Sequence, residues 1–398
     1  MNYKFAARMT AMKPSIIREI LKSSAGQAVI PFAAGNPAAE TFPLEAIRSF
    51  TESILAENPI AALQYGVTEG YEPLRECLLQ HVQQRFAVDP TGNSLMVVSG
   101  AQQGIELACK VFCSEGDTII CESPSFIGSL NTFRAAGIRL AGVPMEADGI
   151  DLERLEYALQ HEPNVKLIYL IPSFQNPTGI TTSLAKRQGI YALARKYDVM
   201  ILEDNPYGEL RFQGADVPVL KSIDDDQRVI YVGSFSKVLS AGLRVGYVLA
   251  PDEVIQKMAV AKQGEDVHTA TLPQMIAHRF MTEYDYDRHI ALVCDVYRRK
   301  SELMLQALEQ QMNPAVTFTR PDGGLFLWCE LPASVPMLDY CKQAATNGVA
   351  VVPGNAFLVD ESEPCQALRL NFSTPSDEQI VRGIDILAQL FTKSIAGM

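Results

Sequence analysis

Between residues 94 and about 261 the sequence alternates short β-branched runs with helical segments, and this alternation constrains the fold more than any other feature. Near-continuous apolar runs suit strands buried on both faces, and the helical segments between them supply the crossovers that parallel strands need. Strands are expected at 95–98, 118–121, 138–143, 167–171, 199–203, 229–232 and 245–249. A charged helical stretch from about 284 to 311 follows, then a second strand set at 316–319, 325–331, 349–352 and 368–372 and a final helix. The expected fold is α/β: a large domain with a mostly parallel seven-stranded sheet covered by helices, plus a smaller α+β domain. The expected division is 1–45 as an N-terminal arm and part of the small domain, 46–290 as the large domain and 291–398 as the C-terminal small domain.

Length and charge narrow the class. The 398 residues amount to two or three domains' worth of chain, and 47% hydrophobic with 20% charged residues excludes a disordered chain. No run approaches the roughly 18 apolar residues of a spanning helix, so no membrane association is expected. A formal charge of −12 argues against nucleic acid as a partner. The segment Met1–Thr10 lacks the apolar core of a signal peptide, which leads to the expectation of a cytoplasmic protein. Of eight cysteines only Cys109 and Cys113 are helically spaced; without a second pair or a nearby histidine they read as buried thiols, and no metal is expected.

Along the N-terminal part, residues 14–22 place Ile16, Ile17, Ile20 and Leu21 on one helical face with Arg18 off it. Gly35 opens a turn in which backbone can approach a ligand closely. Ser99–Gly104 follows the first strand and starts a helix, so Gly100 and the free amides after it form a candidate anion site, a signal that is weak alone. No dinucleotide fingerprint, Walker lysine, zinc-protease motif or serine-hydrolase elbow occurs.

The chemistry concentrates in three stretches. Lys237 stands alone among small and apolar residues; such surroundings weaken a lysine's hold on its proton and make it a nucleophile toward an aldehyde. Ser234, Ser236 and Arg244 around it suit a phosphate, and an aldehyde carrying a phosphate is pyridoxal phosphate. The alternative is a lysine capping a surface turn. Asp204 ends an apolar strand, where a carboxylate can pair with a pyridinium nitrogen or cap the next segment. Asn176 lies in the turn Pro172–Gly179, with Tyr207 available beside it; that segment alone can be only a turn.

Together, Ser173-Phe-Gln-Asn-Pro-Thr-Gly179, Glu203-Asp-Asn-Pro-Tyr207 and Ser234-Phe-Ser-Lys-Val-Leu-Ser-Ala-Gly-Leu-Arg244 resemble the fold-type I pyridoxal-phosphate aminotransferases of class I/II. Within them the chain is similar to the 2-aminoadipate and kynurenine aminotransferase branch. The resemblance implies that Lys237 forms the Schiff base with pyridoxal 5′-phosphate, Asp204 holds the pyridine nitrogen, and Asn176 and Tyr207 hold the ring hydroxyl. It also implies that Gly100, Ala101, Gln102, Ser234, Ser236 and Arg244 surround the phosphate, and that Tyr65 reaches the neighbouring subunit's phosphate in a homodimer. Arg369 corresponds to the arginine for the substrate α-carboxylate. Two departures stand out: Phe126 occupies the ring-stacking position usually held by tyrosine, and Ala34-Gly35-Asn36 replaces the commoner Gly-Gly-Leu.

The implied activity is ping-pong transamination from 2-aminoadipate, glutamate, aromatic or aliphatic donors to a 2-oxo acid such as 2-oxoglutarate. The resemblance puts the Arg18 helix over the site mouth, where Arg18 can pair with a distal carboxylate; a solvated surface arginine is the alternative. The rival activities are a β-lyase on the same fold and the sensor half of a transcription regulator, the latter needing a DNA-binding domain for which few residues precede the first strand.

Overall fold

The computed structural model describes residues 3–6, 9 and 29–396; the helix expected over 14–22, and Arg18 with it, lies outside the described residues. All seven strands of the first set form: β1 (Asn93–Val98), β2 (Thr118–Ser123), β3 (Arg139–Glu146), then, after an unexpected β4 (Gly149–Ile150), β5 (Val165–Leu170), β6 (Met200–Asp204), β7 (Val229–Ser234) and β8 (Gly246–Pro251). They make one eight-stranded sheet in the order β1-β8-β7-β6-β5-β2-β3-β4. The eighth strand arises because β3 runs past residue 143 and folds back on itself, pairing Met145 with Ile150 and Glu146 with Gly149. Two residues are too few to show a period of two, which is why the sequence does not reveal it.

Strands β3, β2, β5, β6 and β7 are parallel; α-helices cross between them except from β6 to β7, where the link holds only a short 3-10 turn at Leu220–Ile223. β8 is antiparallel to both β7 and β1. The cause is the link: residues 235–245 contain no helix and are too short for a parallel crossover, so the chain must return as a wide hairpin. That link carries Lys237 and Arg244 at the carboxyl end of β7. The sheet centre is dry, with Ile168, Ile201, Leu202, Ile230 and Val232 fully buried, each contributing about 1.5–3 kcal/mol through burial.

The helices that position the site are α1 (Ala101–Phe112), α2 (Ile127–Ala135), α3 (Leu184–Tyr197), α4 (Tyr286–Gln311) and α5 (Asp377–Ala396), the last two packed on each other. A second, antiparallel sheet contains β9 (Thr317–Phe318), β10 (Phe326–Glu330), β11 (Val352–Pro353) and β12 (Ala367–Asn371), ordered β11-β12-β10-β9. The segment after residue 29 is stitched onto it: Ile30 bridges to Val349, and the Asn371 amide donates to the Phe32 carbonyl at 2.9 Å. Among the described residues no helix is long and apolar enough to cross a membrane.

Candidate active site

At the carboxyl ends of β6 and β7 a cavity of about 340 Å³ opens between the two sheets. It is lined by Gly35, Ala101, Gln102, Phe126, Asn176, Asp204, Tyr207, Ser234, Ser236, Lys237, Arg244 and Arg369, so twelve of the sequence-derived candidates meet in one space. Gly100 stands directly behind, as the N-cap of α1. Tyr65 is not part of this lining; its ring is 81% exposed and meets the edge of His268.

Asp204 terminates β6 with its carboxylate buried. Oδ2 accepts from the Tyr169 hydroxyl at 2.8 Å, and that hydroxyl in turn accepts from Ser129 Oγ of α2 at 2.8 Å. Oδ1 has no partner among the described residues. Burial pushes the carboxyl up to about 7, with the Tyr169 bond opposing the shift. An anion left half-paired in a dry pocket is costly, and a cationic N–H at Oδ1 would relieve it.

Lys237 reaches across the cavity and its Nζ donates to the Gly35 carbonyl at 2.5 Å. Burial, then the Arg369 and Arg244 charges, lower its ammonium to about 8, so a sizeable neutral fraction exists near neutral pH. The sequence expectation of a lysine with weakened proton affinity therefore has a geometric cause: apolar walls and two cations, with no carboxylate paired to it among the described residues.

The opposite end is an anion cradle. Gly100 caps α1 with φ +83° and offers no side chain to the first helical N–H groups, which leaves the Ala101 and Gln102 amides free for a ligand. A side chain at Gly100 would collide with the Arg244 guanidinium, and one at Gly246 would strike the Ala101 nitrogen at 2.7 Å. The turn is fixed from behind by Lys262, which donates to Asp266 and to Gln103 Oε1, and by Ser99, which donates to Asp266 Oδ2. The Gln102 Nε2 donates to Thr132 Oγ1 at 2.8 Å and ties α1 to α2, which leaves its main-chain amide as the donor available at the cradle.

Arg369 lies on β12, buried between the rings of Phe326 and Phe357 at 4.3 and 4.9 Å. It donates to Asn176 Oδ1 at 2.9 Å and to the Ala33 carbonyl at 2.7 Å, while Nε has no partner among the described residues. Burial lowers it to about 10, still cationic at neutral pH. Asn176 Nδ2 faces the Tyr207 hydroxyl at 3.5 Å; burial and the Asp204 charge raise Tyr207 further, which keeps that hydroxyl protonated.

Sequence reasoning missed Tyr169 and Ser129 behind Asp204, and Phe326 and Phe357 around Arg369. All four act through space from other elements, and no local motif marks them. Asn36, quoted only as a departure, also lines the cavity.

The fold and the cavity thus define an enzyme that binds a phosphorylated aldehyde: a cradle for a dianion, an amine with weakened proton affinity, an unpaired carboxylate for a cationic ring nitrogen, and a cation left for a substrate carboxylate. Residues 27–387 match the family model for aminotransferases of class I and II, and the chain belongs to that family. It is 38% identical to aromatic-amino-acid aminotransferase 1 of Thermococcus litoralis, over 97% of this chain and 93% of that one. It is 39% identical to 2-aminoadipate transaminase of Thermus thermophilus, over 96% and 94%. The solved structure of an α-aminoadipate aminotransferase from Thermus thermophilus, complexed with N-(5′-phosphopyridoxyl)-L-leucine, superposes with a TM-score of 0.90 at 37% identity, covering 99% of this chain and 98% of that one. The chain is therefore an aminotransferase with a pyridoxal 5′-phosphate cofactor, and the donor set of the cavity fits that group.

Proposed function

We propose that this aminotransferase takes the amino group from 2-aminoadipate, glutamate, and aromatic or aliphatic amino acids and passes it to a 2-oxo acid such as 2-oxoglutarate by a ping-pong mechanism. The carrying observation is that Lys237, the unpaired Asp204 Oδ1 and the unpaired Arg369 Nε all belong to one cavity. The names of the relatives support the range of donors.

When bound, pyridoxal phosphate supplies an electron-withdrawing ring that stabilises negative charge at the substrate α-carbon. Asp204 Oδ1 would accept from the ring nitrogen and keep its proton in place. Asn176 and Tyr207 would hold the ring oxygen, and Phe126 would pack on the ring. The Ala101 and Gln102 amides, Ser234, Ser236 and Arg244 would hold the phosphate, with Gly100 leaving room for it. Arg369 orients the substrate through its α-carboxylate, a planar bidentate task for a guanidinium. The neutral Lys237 Nζ takes the α-proton, an effectively intramolecular transfer because base and carboxylate site are both fixed.

The working unit is proposed to be a homodimer in which Tyr65 serves the partner's cradle; its exposure beside exposed Ile60, Leu63 and Val67 supports this. A cytoplasmic setting is supported by eight free cysteines, as a reducing compartment maintains them. The proposed domain division at 45 and 290 is supported by the two sheets, with residues 30–32 joined to the smaller one.

The test is a donor screen against 2-oxoglutarate that measures 2-oxo acid and glutamate. The expected outcome is equal amounts of both, with acidic and aromatic donors active; release of ammonia and pyruvate from a cysteine conjugate in their place would identify a β-lyase. In the same screen Arg18→Ala should lower kcat/KM by roughly 10 to 100-fold for acidic donors only. Equal losses for every donor would remove Arg18 from substrate selection.

A further inference from the structure

Behind the cavity lies a second set of buried polar groups that the proposed chemistry does not use. Glu122, near the end of β2, is fully buried, and its Oε2 accepts from the Ile171 amide at 3.0 Å and from Gln175 Nε2 at 3.2 Å. Gln175 is itself fully buried, and its Nε2 also donates to the Pro124 carbonyl at 2.8 Å. Its Oε1 accepts from the Thr178 amide at 2.9 Å and the Thr178 hydroxyl at 2.7 Å. One side-chain amide thus makes all four bonds available to it.

The two segments joined by this amide carry cavity groups. The Pro124 side leads directly to Phe126 and α2. On the other side Asn176 is the next residue, and its Oδ1 is one of the two oxygens that hold Arg369. The stems of the Asn176 turn are tied separately: the Thr182 amide donates to the Pro172 carbonyl, and buried Arg187 of α3 donates to both the Pro172 and Thr182 carbonyls. The tip is tied to the second sheet by Thr319 Oγ1, which donates to the Thr178 carbonyl at 2.7 Å, while the Gln175 side chain ties it to Glu122 and the Pro124 carbonyl.

We propose that Gln175, anchored on Glu122, is a positioning residue that fixes the tip of the Asn176 turn against the Phe126 loop, and so sets the placement of Asn176 and Arg369 toward cofactor and substrate. The inference rests on the transaminase reading above. Asn176 and Arg369 face what every donor shares, so loosening the brace lowers kcat/KM by one common factor for acidic and aromatic donors. A displacement near 1 Å at such a site costs up to ~10²-fold.

The experiment uses the holoenzyme and three variants: Gln175→Glu, Glu122→Gln, and both together. Gln175→Glu keeps the acceptor for Thr178 but loses both donors and faces Glu122, with Asp204, Arg187, Tyr169 and Cys121 as the other ionisable groups around that carboxyl. Two carboxyls in contact share one proton, so the bridge re-forms in acid and is repelled in alkali. The expected result is a ~10 to 100-fold fall in kcat/KM at about pH 9, equal across donors and smaller at about pH 6. The pH midpoint of the bound cofactor's visible absorption should move by about half a unit or more. The double variant restores one amide–carboxylate contact but supplies no donor for the Pro124 carbonyl, so it should recover part of the loss.

Wild-type kcat/KM and midpoint in Gln175→Glu would overturn the proposal, as would losses that differ between donors or a double variant no better than the single. If Gln175→Glu does not fold, Glu122→Gln, which keeps an oxygen at the Oε2 position, carries the same equal-loss test. Absence of transamination in the unsubstituted protein would overturn the functional reading instead, and the absorption midpoint would still report on the brace.

Discussion

At the Asp204 end of the cavity the functional groups are buried side chains, whereas at the Gly100 end they are main-chain N–H groups, hydroxyls and an exposed guanidinium. The buried end carries its charges in advance: Asp204 and Arg369 each keep an atom without a partner, and burial shifts Asp204, Lys237 and Arg369 toward their neutral forms. The anion end holds its groups at little cost, since helix N–H groups and hydroxyls can meet water until a phosphate arrives. One end is therefore built for reactivity at a cost to the fold; the other is built for retention at little cost. Substitutions at the first should trade activity against stability, and substitutions at the second should act chiefly on cofactor affinity.

The largest effect is expected at Lys237, which belongs to the reactive end by its chemistry. Lys237→Ala should lower transamination by at least ~10⁴-fold, since it removes both the nucleophile and the base, while cofactor still binds through the cradle. Steady-state assay with cofactor in excess checks this, and wild-type rates would break the comparison. The pH dependence has a definite sign. Below about 8 Nζ is charged and inactive, so the rate at which the cofactor-free chain captures cofactor should rise through about pH 8 and level above it, more than two units below an ordinary lysine.

Asp204→Asn sharpens the contrast, because it should impair activity and improve stability together. A neutral amide cannot hold the ring proton, and losses of ~10³-fold are typical when such support is removed. In the cofactor-free fold the same carboxyl is displaced from 3.8 to about 7, equivalent to on the order of 4 kcal/mol. The unfolded chain releases its proton first, so stability falls as pH rises from about 4 to about 7, and the full penalty persists above that. Asparagine avoids the charge but leaves an unpaired amide, so a net gain of about 1–3 kcal/mol is expected above about pH 7, fading toward pH 4. Thermal unfolding of the cofactor-free variant at both ends of that range checks it; a variant less stable than the parent at pH 8 would show that the empty site is not strained by Asp204.

The sequence disclosed the two ends unequally. The reactive groups Lys237, Asp204 and Asn176 each follow an apolar strand, and one chain segment is enough to place them at a strand end. Arg369 carries no such local signal and was identified through resemblance. What holds these groups was hidden: Tyr169 and Ser129 behind Asp204, Phe326 and Phe357 around Arg369, and the four bonds of Gln175 join residues from 3 to 53 positions apart. At the anion end the bond from Gln102 Nε2 to Thr132 in α2 was equally invisible in the sequence. The antiparallel return of β8 follows from the helix-free 235–245 link, and the two-residue β4 has too little pattern to be seen.

The smallest effect should come from Arg244, the exposed member of the cradle. Its guanidinium donates to the Ser99 and Ala241 carbonyls at 3.2 and 3.3 Å, which directs it over Gly100 without burying it there. An exposed charge contributes little in salt solution, and the Ala101 and Gln102 amides and the serine hydroxyls remain when it is lost. Arg244→Ala should therefore weaken cofactor binding by only about 10-fold, with a visibly shallower dependence of affinity on salt, while kcat at saturating cofactor stays within about twofold of the parent. Equilibrium titration of cofactor at low and high salt, beside kcat, makes the measurement. Arg244 also lowers the Lys237 ammonium, as the smaller of the two cationic influences, so its loss should let the capture profile drift toward higher pH. A fall in kcat as large as that of Asp204→Asn would mean that the cradle takes part in the chemistry, and the division between a reactive and a retaining end would fail.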